Sequence, residues 1–210
     1  PTLNATLETP RLVLRQPEAQ EVELRGLRAT LDGSLANATL ALRGEARQGT
    51  RQVTLDTRAG GGLAGEQRWR LSLAHLRAQM RDTARREEAP WTLALASEFS
   101  GTLRAGGGSL ELETTAGGAT LEGPVPGTVR LDWEPLRLRQ SASAGGAVFR
   151  LQTKGRMRGL PMAWSRAFGG DTSLREMGIS GDLVFDGDWD IDAADQLRAQ
   201  VRVARAGGDL

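Results

Sequence analysis

The stretch DLVFDGDWDID, residues 182–192, contains five aspartates in eleven positions. From Asp186 onward an aspartate occupies every second position. The alternate positions are Leu183, Phe185, Gly187, Trp189 and Ile191. Because successive side chains of a β-strand point to opposite faces, this pattern predicts a strand with one apolar and one wet face.

The same aspartates could also indicate a calcium loop. Asp186, Asp188 and Asp190 match the first three ligand positions of such a loop, but Ile191 stands where the sharp turn requires glycine. No glutamate occupies the twelfth position either. We therefore expect no metal site, and we expect the aspartates to be solvated or paired with arginines across the sheet.

Alternation of this kind recurs along nearly the whole chain, with turns rich in glycine or proline between the runs. The alternating runs are 21–33, 38–44, 51–57, 68–76, 91–97, 108–114, 127–140, 147–155 and 197–205. Their spacing predicts an all-β chain built from antiparallel meanders.

The alternation slips at two informative places. At Gly26 the apolar residues change from the parity of Leu24 to that of Leu27, which predicts a bulge that returns them to one face. Pro135 has no amide proton for a sheet ladder, so we expect a bulge or break between Trp133 and Leu136.

Residues 160–177 depart from the strand pattern. The apolar residues 162–164 are followed by Ala167 and Phe168 at helical spacing, and Pro161 suits a first helical turn. We predict a short helix over 161–168 within this insertion. It would either cover an open end or edge of a sheet, or act as a plug or membrane-facing element.

Composition narrows the function classes. The 27 basic and 26 acidic residues leave a net charge of +1, which does not favour nucleic-acid binding. The absence of cysteine excludes disulfides, zinc-thiolate sites and cysteine nucleophiles. His75 is the one histidine, and no serine has the Gly-x-Ser-x-Gly context of a nucleophile elbow. We expect neither an enzyme nor a bound cofactor.

Three stretches of the chain together resemble the TamB family, within the AsmA-like group of periplasmic proteins of Gram-negative bacteria. They are LRATLDGSLANATLALRGEA (27–46), the two Trp-led strands of 69–100, and the series from GLPMAWSRAF (159–168) through GISGDLVFDGDWDI to LRAQVRVARAGGDL (197–210). The resemblance covers most of the chain and lies in the order of the motifs.

This resemblance implies an elongated antiparallel sheet folded into an open, U-shaped trough, called a β-taco, with an apolar inner face. It implies a periplasmic location, an inner-membrane anchor outside this chain and a TamA-like outer-membrane partner. It further implies carriage of phospholipid between the two membranes. The alternative is a structural or chaperone scaffold that assists outer-membrane protein assembly through exposed sheet edges.

The two functions require different surfaces, because a lipid conduit needs an unbroken apolar face whereas edge pairing tolerates polar positions. The parity count gives candidates for a lipid groove that include no charged residue. They are Val129, Leu131, Trp133, Leu136, Leu138, Phe149, Leu151, Leu183, Phe185, Trp189, Ile191, Val201 and Val203. The same residues would equally suit an ordinary closed core.

Both chain ends read as cuts through a longer protein. Residues 1–210 are accordingly expected to be a single β-taco segment. Excision would leave unpaired strand edges near 1–14 and 197–210, through which we expect self-association.

Overall fold

The computed structural model describes residues 2–14, 21–85, 88–143, 146–164, 181–194 and 196–209, referred to below as the described residues. They form fourteen β-strands in one antiparallel sheet, which confirms the predicted all-β class and agrees with an all-β trough. The strands are β1 (Thr2–Leu14), β2 (Val22–Ser34), β3 (Asn37–Gln48), β4 (Arg51–Gly65), β5 (Arg68–Asp82), β6 (Trp91–Leu95), β7 (Phe99–Gly106), β8 (Ser109–Thr114), β9 (Gly117–Glu122), β10 (Thr128–Trp133), β11 (Arg137–Ser143), β12 (Gly146–Pro161), β13 (Val184–Ala193) and β14 (Leu197–Gly207).

The sheet is a meander in which each span pairs with the next along the chain. Strands β1 to β5 pair in sequence, and β12, β13 and β14 do the same at the other end. Short turns of two residues, such as Leu35–Ala36 and Gly49–Thr50, join the hairpins β2–β3 and β3–β4. Local chain reversal therefore accounts for most of the topology.

The middle of the sheet contains three spans that are each divided into two strands. β5 pairs with β7 through its first half and with β6 through its second half, and β12 pairs likewise with β11 and β10. Because β6 pairs with β9 and β7 with β8, the breaks of neighbouring spans lie side by side. We call this the break line, and it runs through 96–98, 115–116 and 134–136.

The break at Pro135 confirms the prediction for that residue, because β10 ends at Trp133 and β11 begins at Arg137. Backbone hydrogen bonds bridge the break. The amide of Glu134 donates to the carbonyl of Lys154 at 2.9 Å, and the amide of Thr114 donates to the carbonyl of Leu136 at 2.9 Å. The three divided spans therefore remain parts of one sheet.

The predicted bulge at Gly26 is also confirmed. Arg25 faces Glu45 and Arg28 faces Arg43, so two residues of β2 oppose Gly44 alone. Gly26 has φ of +55°, a left-handed conformation that glycine adopts at little cost.

Few side chains are fully buried, as expected of a single layer of sheet. The buried apolar residues among those described are Ala119, Val129, Trp164 and Leu183. Contacts between strands follow hydrogen-bonded neighbours. The alternative of an ordinary closed core does not match this sheet.

The predicted helix over 161–168 requires a correction at its start. Pro161 is the last residue of β12, paired with Val184, and the only helical geometry among the described residues is a 3₁₀ turn over 162–164. The ladder continues to Pro161 because the next amide, of Met162, still donates to the carbonyl of Leu183 at 2.8 Å. Residues 165–177, the remainder of the predicted insertion, lie outside the described residues.

Candidate functional site: an open apolar face

The register of the ladders assigns each strand residue to one of two faces, because directly paired residues of antiparallel strands project to the same side. Leu131 pairs with Ala119 on one neighbour and Met157 on the other. The face defined by Leu131 and its register partners is called the apolar face below, and the opposite side is called the polar face.

The apolar face extends across the whole sheet. From Ala119 it passes through Leu95 on β6. At the other side it passes from Met157 to Gly187 and then to Val203 on β14. Further pairings bring Leu55 on β4 and Leu7 on β1 onto the same face, so one apolar surface joins the two edges of the sheet.

This face is almost free of charge. Among the described strand residues, the register places three charged side chains on it: Arg51 of β4 and Asp82 of β5, which are partners at the end of their ladder, and Arg205 of β14, which donates a hydrogen bond to the carbonyl of Gly208. The polar groups on it include Thr57, Thr114 and Gln140. A second bulge, at Ala74 of β5 between the Arg58–His75 and Ala59–Leu73 pairs, keeps Leu73 on the apolar side.

Aromatic rings lie close to the sheet backbone near the break line, because the residues that they cover are glycines without a side chain. A Cβ added at Gly117 would approach Cζ2 of Trp133 to 2.7 Å, and one added at Gly155 would meet the ring of Trp189. Trp133 also contacts Phe99, two spans away, in an edge-to-face arrangement with ring centroids 5.8 Å apart. The rings of Trp133, Trp189 and Phe99 therefore form an aromatic area in the middle of the apolar face.

One border of the apolar face is partly covered. Trp164, in the 3₁₀ turn after β12, packs edge-to-face on Trp91 with centroids 4.8 Å apart, and its indole nitrogen donates to the carbonyl of Val125 at 3.1 Å. Trp164 and Val129 are each 1% exposed. Trp164 thus covers this border of the apolar face, whereas the rest of the segment predicted to cover a sheet end or act as a plug lies outside the described residues.

The register brings together eleven of the thirteen predicted groove residues on the apolar face. They are Val129, Leu131, Trp133, Leu138, Phe149, Leu151, Phe185, Trp189, Ile191, Val201 and Val203. Leu136 lies in the break line, outside the ladders, and Leu183 precedes β13 and is buried. Exposure differs widely within the set, from 1% at Val129 to 65% at Val201.

Sequence reasoning missed the half of the face that precedes residue 129. Leu93 and Leu121 pair directly across β6 and β9, and Leu40 and Leu31 do so across β3 and β2. The signal that would have found them is the same alternation, since all four lie in runs with apolar residues at every second position.

The polar face carries the charged side chains in cross-strand ion pairs. The aspartates of β13 lie here as predicted: Asp190 pairs with Lys154 at 2.8 Å, and Asp192 pairs with Arg150 at 2.6 Å. Hydrogen bonds from Arg150 and then from Gln152 hold the pKa of Asp192 below its usual value. The hydrogen bond to Asp190 raises the pKa of Lys154.

Asp186 has a different role, since its carboxylate accepts a hydrogen bond of 2.9 Å from the amide of Gly159 at the bulge in β12. Among the described residues, no group of three or more histidine, cysteine, aspartate or glutamate side chains is arranged to hold a metal ion. Shallow recesses of about 730 and 740 Å³ lie between polar-face side chains, one beside Arg70 and Arg137 and the other beside Arg58 and His75.

No helix formed by the described residues has the length and apolarity needed to cross a membrane. Comparison of the chain with protein-family models, with curated proteins and with solved structures found no match.

Proposed function

We propose that this chain is a segment of a periplasmic bridge that carries phospholipid along its apolar face between the inner and outer membranes. The observation that carries the proposal is the continuous, nearly uncharged apolar face, which joins β1 to β14 and over which no second layer of the described strands packs. The resemblance to the TamB family supplies the compartment, the inner-membrane anchor outside this chain and the TamA-like partner.

The exposure of this face favours a lipid ligand over a closed core. Leu7, Phe149 and Leu197 are among its large apolar side chains that are more than half exposed. Monomeric soluble proteins rarely leave contiguous apolar patches beyond a few hundred Å² open to water. A surface of this kind gains free energy when acyl chains cover it.

The dimensions of the sheet suit acyl chains. Strand β5 has 15 residues, or roughly 50 Å at about 3.3 Å per residue. An acyl chain fills about half of a hydrocarbon core of roughly 30 Å. The apolar face is thus long enough along each span to hold acyl chains while the head groups remain in water.

Lipid extraction gives the first test. We expect mass spectrometry of the purified protein, prepared without detergent from Gram-negative cells, to detect co-purifying phospholipid. If circular dichroism shows that the protein is folded and no phospholipid is detected, the result would count against the proposal.

Site-specific photo-crosslinking in cells gives the sharper test. A photoreactive residue at Leu131 or Phe149 is expected to capture phospholipid, whereas the matched positions Arg130 and Arg150, one residue away on the polar face, are expected to capture none. Capture from the arginine positions alone would assign lipid to the opposite face.

Charged substitutions on the apolar face test the transfer of lipid, whereas the crosslinkers test its contact with the protein. Leu131→Arg or Phe185→Asp puts a charge on the apolar face, where desolvation under a lipid costs several kcal/mol. The protein should still fold, because the face is open and the charge reaches water, while lipid transfer between vesicles fails. The controls Arg130→Glu and Asp132→Arg are expected to keep transfer intact.

The scaffold function remains a second candidate because, within the described part of the chain, β1 and β14 each pair with a single neighbouring strand. Capture of nascent outer-membrane protein, with no lipid, by the crosslinkers at Leu131 and Phe149 would favour it.

A further inference from the structure

The polar face contains a recess whose lining is strongly basic. It is the recess of about 740 Å³ beside Arg58 and His75, called the basic recess below. Its charged lining consists of Arg28, Arg43 and Arg58 against a single carboxylate, that of Asp56, with His75 beside them. We propose that the basic recess binds a phosphate group carried by a larger ligand.

The register of β2, β3 and β4 brings the three arginines around Ala41. Arg58 lies directly opposite Ala41 in the ladder between β3 and β4, and Arg43 follows two positions along β3 on the same face. In the ladder between β2 and β3, Arg28 lies opposite Arg43, and Thr30 lies opposite Ala41. Because directly opposed residues project to the same side of the sheet, three long basic side chains border a position that carries only a methyl group.

The bulge in β5 adds the histidine to the same face. Ala74 is the extra residue between the Arg58–His75 and Ala59–Leu73 pairs. It leaves His75 on the polar face, directly opposite Arg58, whereas Leu73 returns to the apolar face. Bulges of this kind often redirect a side chain beside a binding site. As a result, no carboxylate lies directly opposite Arg58 in either of its ladders.

The one carboxylate in the lining is shared among several bases. Asp56 lies directly opposite Arg43 on one side and Arg77 on the other. Its Oδ2 is 3.1 Å from Nε of Arg43, and its Oδ1 is 4.0 Å from Nε2 of His75. Asp56 therefore neutralises only part of the positive charge around the recess.

The remaining arginines keep capacity for an anion. Nε of Arg28 lies 3.1 Å from Oε1 of Glu8, a residue outside the lining of the recess. Arg58 is exposed and forms no ion pair with a carboxylate of the described residues. Like charges placed directly opposite each other destabilise a sheet, so the Arg28–Arg43 pair gains stability when an anion lies beside it.

The chemistry of the arginines selects phosphate among anions. Each guanidinium group presents a planar fork of donors that matches the oxygens of phosphate and binds them in bidentate fashion. A phosphate monoester carries roughly −1.5 to −2 charges at neutral pH, more than a single carboxylate carries. The recess of about 740 Å³ is larger than one phosphate ion, so a second phosphate or the rest of the ligand fits over Thr30 and Ala41.

This proposal does not depend on lipid carriage. A phospholipid on the apolar face is separated from the basic recess by the sheet itself. The phosphate belongs either to a soluble ligand or to the head group of a bilayer that contacts the polar face, and two probes separate these sources. Pyrophosphate represents the soluble ligand, and vesicles of phosphatidylglycerol with phosphatidylethanolamine represent the bilayer.

Isothermal titration calorimetry at fixed ionic strength tests the binding. We expect saturable binding of pyrophosphate, with a Kd roughly tenfold lower than that of inorganic phosphate because the second phosphate adds charge-assisted hydrogen bonds. Binding of pyrophosphate without sedimentation of the protein with vesicles would assign a soluble ligand. Sedimentation with vesicles that Arg58→Gln abolishes would assign the phosphate to a lipid head group.

Three variants, each checked for folding by circular dichroism, locate the site. Arg58→Gln is expected to weaken pyrophosphate binding roughly tenfold, since it removes one charge-assisted contact. Ala41→Leu keeps every charge but fills the floor of the recess, and it should also weaken binding. The matched control is Arg130→Gln, because Arg130 lies directly opposite Arg158 on the same face and forms no ion pair with the described residues.

Arg130→Gln should leave the Kd of pyrophosphate unchanged. Equal weakening by Arg130→Gln and Arg58→Gln would show a general attraction of anions to the polar face and would overturn the proposal. The same conclusion would follow if neither pyrophosphate at millimolar concentration nor the vesicles bound the folded protein, or if Ala41→Leu bound pyrophosphate as the unaltered protein does.

Discussion

At the scale of single residues, tryptophan rings of the apolar face pack over glycines of the neighbouring strand. Gly155 lies directly opposite Trp189 in the ladder, and a Cβ at Gly155 would also approach the carbonyl oxygen of Asp132 to 2.5 Å. Because one of the obstructing atoms belongs to the backbone, the site relaxes poorly. The ring of Trp189 thus depends on a glycine in the neighbouring strand.

Gly155→Ala should for this reason destabilise the protein by about 1–3 kcal/mol, the usual cost of overpacking. Urea unfolding followed by tryptophan fluorescence measures the change. Gly207→Ala is the control, since a Cβ there meets no atom within 4 Å, and its effect should stay within about 0.5 kcal/mol. Equal stabilities of the two variants would show that the ring moves aside freely.

Asp192 gives a prediction about pH. Its pKa is lowered in the folded state by Arg150 and Gln152, so its stabilising contribution is complete above its unfolded pKa of about 3.9 and is lost as pH falls through the lower folded value. Asp192→Asn should reduce the loss of stability between about pH 5 and pH 2, measured by urea unfolding across that range. The exposed variant Asp32→Asn controls for the removal of one surface carboxylate; an identical change in both variants would contradict the assignment.

At the scale of strands, the bulge of β2 and the irregularity of β1 are coupled. Thr9 pairs with Leu27 and Arg11 pairs with Arg25, so Pro10 and Gly26 are the extra residues that face each other. Removing both should leave every other residue of the two strands on its present face. The remaining residues of both strands would then alternate without interruption.

The double deletion of Pro10 and Gly26 should therefore still fold, with loss of only the local bulge. Deletion of the directly paired residues Thr6 and Thr30 should unfold the protein or cause aggregation, because it moves Leu31 to the polar face relative to Leu24. Circular dichroism and soluble yield distinguish the two deletion variants. If both deletion variants fold equally well, the assignment of side chains to the two faces does not determine the register of β2.

At the scale of the whole molecule, the two open edges predict self-association. Arg198 and Arg202, both exposed on β14, repel the same residues of a second β14, so association through that edge should strengthen as salt screens the charge. Sedimentation velocity at increasing protein concentration and ionic strength measures this. Val201→Pro, which removes an amide from β14, should weaken the association, whereas a strictly monomeric protein at high concentration would contradict the prediction.

Local pattern was sufficient to predict much of this architecture. The strands, the bulge at Gly26 and the break at Pro135 depend on alternation and on the backbone chemistry of single residues, which are properties of neighbouring positions. The contact of Phe99 with Trp133 and the cover of Trp91 by Trp164 depend on register between distant segments. The predicted start of the helix at Pro161 was wrong because pairing with Val184 outweighed the local helical spacing, and residues 165–168 of that prediction lie outside the described residues.

The division of three spans between two strands has a geometric consequence for the molecule as a whole. Fourteen strands make eleven spans, because β6 with β7, β8 with β9, and β10 with β11 each form one. Successive spans of a meander alternate in direction, so with an odd number β1 and β14 run the same way. The two ends of the sheet are therefore unlike: copies joined from β14 to β1 would meet through parallel strands and grow as an open, one-way array, whereas two copies joined through the same edge would pair antiparallel and close as a dimer.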